Sequence, residues 1–120
     1  MNFKNSRAIF FEDSSIPRLL SFVSPIEINA ITLGPFVFSR NKVSEITRNH
    51  ENIHWQQYIE LGILGFLLMY MLYYVIGLIK YRNAKIAYCL IPFEQEAYSN
   101  HEDLEYLKNR KRYCWLKYKV

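Results

Sequence analysis

The strongest constraint on this chain is a run of nineteen uncharged residues, Leu61 to Ile79, bounded by Glu60 and Lys80. At about 1.5 Å per residue an unbroken helix of this length would be about 28 Å long, close to the hydrocarbon thickness of a bilayer. The run follows directly on a polar segment, Ser44 to Glu60, with the periodicity of a helix. One straight helix would therefore carry that segment and whatever follows Lys80 to opposite ends of a bilayer. The run also holds Gly62 and Gly65. Each costs about 1 kcal/mol in a helix interior and tolerates a turn. A break there turns the run into a helical hairpin, with a second helix from about Phe66 to Tyr81 returning antiparallel to the first. Phe66, Tyr70, Tyr73 and Tyr74, with Leu and Met between them, leave this second helix apolar nearly all round, so it needs cover on every side.

The polar segment contains His50-Glu51-Asn52-Ile53-His54, an HExxH motif. Its helix should start at Ser44, a good N-cap, with Glu45 in the first turn. Residues four apart stack on one helix face, so both imidazoles can reach one metal ion. Glu51 is placed to take a proton from water acidified by zinc, whose bound water has a pKa near 7. Two histidines are one protein ligand short of a catalytic zinc site. The segment Phe93 to Tyr98 offers a carboxylate, with Pro92 suited to a helix start and Glu94 and Glu96 near its N-terminus. Those two glutamates lie roughly 200° apart around a helix, so only one can face the ion.

These two motifs resemble the gluzincin metallopeptidases, especially the compact, membrane-linked kind, in which HExxH precedes a Glu-x-x-Ala-Asp segment. The resemblance implies Glu94 as third zinc ligand, Ala97 as the close-packing residue, and Tyr98 in the place of the Asp. There a tyrosine can orient a ligand only through its hydroxyl. Residues 27–120 also look like a family of small proteins of Bacteroidetes-type bacteria. The carrying stretches are Ala30 to Phe38, Asn49-His50-Glu51, Gln56-Gln57 and the Phe-Glu-x-Glu-Ala-Tyr run. Gln57 is a candidate partner for a ligand, and Tyr98 and His101 are candidate donors to a developing oxyanion.

The expected fold is mainly α with a short β edge, α+β in class: an active-site helix, an apolar helical hairpin and a glutamate helix. At 120 residues and half apolar the chain suits one domain. Residues 1–26 are read as an irregular segment with a short helix near Ile16–Val23, and 27–120 as the zincin-like domain. Within the latter, Glu27 to Ser39 is β-forming and interrupted at Gly34-Pro35, giving a kinked edge strand or a hairpin. A last helix is expected over about Glu102 to Tyr118.

The expected activity is zinc-dependent peptide-bond hydrolysis on a peptide or protein substrate. The alternative is a non-catalytic, zinc-stabilised subunit of a membrane-associated complex. A single-span membrane protein without metal is the third reading. The net charge is +4, with six basic residues and no acid from Lys108 onward, which suits an anionic lipid or another acidic partner. No phosphate-binding glycine loop, nucleophile elbow or RNA-binding sheet signature is present, and no nucleic-acid partner is expected. Cys89 and Cys114 form no CxxC pair. Met1 to Phe11 lacks the long apolar core of a secretory signal, so the expected location is membrane-associated, at the inner membrane or peripherally, and otherwise cytoplasmic.

Overall fold

The β-forming stretch around Gly34-Pro35 folds as a hairpin. Strand β2 (Ala30–Leu33) pairs antiparallel with β3 (Phe36–Ser39), Leu33 opposite Phe36 across the two-residue loop. Gly34 takes φ +60°, a left-handed value that glycine adopts without strain. The computed structural model describes residues 6–21 and 30–120, with the backbone alone at 20 and 21. Residues 22–29, which include the end of the expected short helix and the start of the expected strand, lie outside the described residues.

Strand β1 (Ile9–Phe11) joins β3 in parallel, giving the order β1-β3-β2, and helix α1 (Ile16–Ser21) follows it. Helix α1 lies where a short helix was expected, and the strand was not foreseen: β3 offers a free edge to the β-forming Ile9-Phe10-Phe11 triplet. Asn52 tethers this region to the next helix by accepting from the Ala8 backbone N–H at 2.8 Å.

Helix α2 (Glu45–Tyr81) is capped by Ser44, whose hydroxyl accepts from the Thr47 N–H at 3.1 Å. It breaks at Gly62 alone, where φ is 74° and ψ is 162°. Gly65 stays helical, so the second limb begins before Phe66. Beyond the break Phe66 turns back on the first limb, its ring 3.9 Å from that of Tyr58 and 6.3 Å from that of His54.

Helices α3 (Ala84–Cys89) and α4 (Pro92–Asn100) complete the return. Gly77 allows the close crossing of α3, because a Cβ there would lie 3.0 Å from the Cα and Cβ of Ala87. Tyr58, Phe66, Ile91, Phe93 and Trp115 form the main core, with Tyr70, Tyr73 and Tyr74 packed against it. Each such side chain fully buried contributes about 1.5–3 kcal/mol. The fold is thus mainly helical with a small three-stranded sheet, α+β as expected.

The continuous last helix does not form. Helix α5 (Tyr106–Asn109) is followed by a 3-10 turn (Cys114–Lys117), separated by extended Arg110 and by Tyr113 at φ 57°. Arg110 decides this. Its guanidinium is drawn inward to form a pair of 2.8–2.9 Å bonds with Glu60 and two more with Glu96. Helix propensity is weak beside several buried charge-assisted bonds.

Candidate metal centre

Ile53 and Tyr58 anchor the first limb of α2 in the core, which turns its His50–His54 face toward α4. Pro92 starts α4 and fully buried Phe93 fixes its rotation, so Glu94 points back at the histidines. His54 Nε2 lies 3.1 Å and His50 Nε2 3.4 Å from Glu94 Oε1. Donor atoms each about 2.0–2.1 Å from one tetrahedral ion are about 3.3 Å apart, so these spacings fit a shared metal. The three ligating atoms all lie within 4.8 Å of one another, and all three residues are buried. This His50, His54 and Glu94 group can hold a metal ion.

The outward nitrogens are occupied as a metal site requires. Gln57 donates its amide N–H to the Phe93 carbonyl (3.1 Å) and Glu96 Oε1 (3.0 Å), which directs its oxygen to His54 Nδ1 at 2.8 Å. His54 therefore carries a hydrogen on Nδ1 and turns Nε2 to Glu94. His50 Nδ1 lies 2.9 Å from His101 Nδ1. Burial and the neighbouring His50 hold His101 below its ordinary pKa, so it stays neutral and can accept the hydrogen of a His50 that ligates through Nε2. Asn49 places His101 there by donating to the backbone carbonyls of His101 and Asp103, at 2.8 and 3.0 Å.

Without metal, the cluster holds a proton in its place. Burial alone would lower the pKa of His54, but the adjoining Glu94 carboxylate reverses this and lifts it to about 9. Burial would raise Glu94, yet His54 and His50 hold it well below the carboxylate range. A divalent ion and that proton occupy the same space, so they compete.

Glu51 stands beside the group, 7% exposed, with Oε2 accepting from the Thr32 hydroxyl at 2.5 Å. Thr32 sits on β2, one of the two outer strands of the sheet, and its carbonyl accepts from the Tyr58 hydroxyl at 2.7 Å. Glu94 Oε2 accepts from the Tyr70 hydroxyl at 2.7 Å. The second limb of α2 thus contributes directly to the site. A cleft of about 1320 Å³ opens onto all of these groups, walled by β2 on one side and by Tyr70, Tyr74 and Tyr88 on the other.

Glu96, the rival ligand, is fully buried on the opposite side of α4. It is committed to Arg110, to the Tyr106 hydroxyl at 2.6 Å and to Gln57. Ala97 is fully buried against Ile53 and Leu107, as close packing of α4 demands. Tyr98 does not orient a ligand through its hydroxyl, which meets Tyr88 at 3.1 Å; its ring instead lies edge-on to His50 at 4.6 Å. Neither it nor His101 is a free oxyanion donor here, since His101 is turned to His50. The roles of Thr32, Asn49 and Tyr70 are revealed only by tertiary contact.

No protein-family model, curated protein or solved structure matches this chain. The functional reading rests on the residues and their arrangement.

Proposed function

We propose that the chain is a zinc-dependent, gluzincin-like metallopeptidase attached to a membrane or a membrane complex. The observation that carries this reading is the pairing of a three-residue ligand group with an adjacent glutamate at the wall of an open cleft. Structural zinc sites are closed by four protein ligands, whereas catalytic ones use three and keep a position open. Among the described residues the group has three members.

Zinc in such a setting supplies a Lewis acid and makes water a nucleophile near neutral pH. His50, His54 and Glu94 would hold it, with Gln57 and His101 fixing the two rings. Glu51 would take the proton from the attacking water and return it to the leaving amine. Thr32 restrains that carboxylate and sets its direction, and the outer strand β2 lies where an extended substrate backbone can align beside it.

A second reading is favoured by a different observation. The ligands come from α2 and α4, and Tyr70 joins them from beyond the break, so a metal would also pin three elements together. In that case the protein is a non-catalytic, zinc-stabilised subunit of an assembly.

Metal content and hydrolysis of quenched fluorescent peptides separate the two. The peptidase reading expects one zinc per chain, its loss in Glu94→Gln, its retention in Glu96→Gln, and peptide cleavage abolished in a zinc-loaded Glu51→Gln. Zinc bound by the wild type with no turnover across a broad peptide library leaves the subunit reading. No zinc in the wild type, handled without chelators, overturns both.

A further inference from the structure

The second limb of α2 has two apolar faces, and only one is used. Phe66, Tyr70, Tyr73, Tyr74 and Gly77 pack inward against α3 and α4. Leu64, Leu68, Met71, Leu72, Ile76 and Ile79 point outward, each between 41% and 75% exposed. Their spacing repeats with the helical period, so they form one stripe along the whole limb, without a polar residue in it. Helix α2, of which this limb is the apolar part, is long and apolar enough to cross a membrane by length and composition. Contiguous apolar surface on this scale marks an interaction site.

Two features identify the occupant as an anionic lipid leaflet. The stripe ends in Tyr81 and the exposed Lys80, Arg82 and Lys85, and no acidic residue occurs between Glu60 and Glu94. The basic C-terminal segment reaches the same end, where Lys80 Nζ donates to the Val120 carbonyl and Gln95 donates to that of Lys119. An aromatic and a basic cluster beside an apolar stripe match the interface between acyl chains and anionic headgroups.

The inward face excludes a crossing. Tyr70 is bonded to Glu94, and α3 and α4 pack along the limb, so threading it through the bilayer would draw Lys85, Glu94 and Glu96 into hydrocarbon. We infer that the second limb lies in the plane of one anionic leaflet, outward stripe down, with the metal cleft opening at the headgroup level. Leu33 and Leu67 border both the cleft and the exposed apolar surface, and Ile63 touches the hairpin tip at Gly34. This inference rests on the membrane attachment proposed above and not on the metal chemistry.

The test is depth-resolved quenching on vesicles. With Cys89 and Cys114 replaced by Ser, an environment-sensitive dye is placed singly at Leu64→Cys, Leu72→Cys and Ile79→Cys, with Glu105→Cys as an off-membrane control. All four positions are exposed, and far-UV circular dichroism with a cooperative melt reports that each variant is folded. Doxyl lipids bearing the quencher at different depths are then compared. An in-plane limb gives the same shallow depth at 64, 72 and 79, none at 105, and binding at least about tenfold weaker to neutral than to phosphatidylglycerol-containing vesicles. A shallow-deep-shallow profile overturns the in-plane placement while leaving membrane attachment intact. A wild type that ignores vesicles and forms a discrete dimer in detergent-free solution overturns both, because a second copy then covers the stripe.

Discussion

His54 Nε2 and Glu94 Oε1, forty residues apart in sequence, meet at 3.1 Å inside the protein. The break at Gly62 and the return through α3 and α4 make that meeting possible. His54 and Tyr70 lie equally far in sequence on either side of Gly62, and both bond the Glu94 carboxylate.

The two neighbouring glycines should respond to alanine with opposite signs. Gly62→Ala forces a side chain into φ 74°, ψ 162°, a region essentially reserved for glycine, and should cost about 1–3 kcal/mol. Gly65→Ala adds a Cβ that meets only Leu61 Cβ, at an ordinary 3.5 Å, within a helix. It should stabilise by up to about 1 kcal/mol. Chemical denaturation of the two variants checks this, and equal effects would place the break elsewhere.

Gln57 should control metal affinity without touching the ion. Gln57→Leu removes the acceptor for His54 Nδ1–H and should weaken zinc binding by about 10–100-fold. Competition against a chromophoric chelator measures it. An unchanged affinity would mean that packing alone holds the ring.

The metal-free protein should lose stability on the alkaline side. His54 has a folded pKa of about 9 against an ordinary 6.5, so its contribution is complete below 6.5 and disappears as pH rises through 9. Glu94 is depressed from its ordinary 4.5, so its contribution is present above 4.5 and is lost on acidification. The melting temperature in chelator should therefore be highest between about pH 4.5 and 6.5 and fall toward pH 9. Excess zinc should abolish the alkaline fall, since the metal replaces the proton.

Glu96 should matter far more to stability than to metal, which it reaches only through Gln57. Arg110 is buried between Glu60 and Glu96, and leaving such a charge wholly unpaired costs about 3–5 kcal/mol, an upper bound here because the Glu60 pair remains. Glu96→Ala should cost up to that much, while Glu96→Gln keeps an acceptor for Arg110 and should lose less and retain the metal. Melting curves read beside metal content distinguish the two roles.

Much of the candidate site was legible in the chain because its signals are local. HExxH places two imidazoles one turn apart on any helix, Ser44 and Pro92 mark helix starts by their own chemistry, and an uncharged run beside two glycines announces a break or a span. The helical periodicity alone separates Glu94 from Glu96 onto different faces. Which of the two turns toward the histidines was decided by Phe93, whose burial fixes the rotation of α4, and by Arg110, which captures Glu96. The same Arg110 ended a helix that the residues from Glu102 to Tyr118 would otherwise favour. Thr32, Asn49 and Tyr70 joined the site only through long-range contact, because a lone hydroxyl or amide has no spacing by which to announce a partner. Local chemistry in the chain was enough to specify the candidate ligand types, the helix starts and the weak point at Gly62. The tertiary structure decided which carboxylate completes the group, which rings are held, and which face of the apolar limb is left exposed. Those depend on burial and rotation, which arise only when the elements pack.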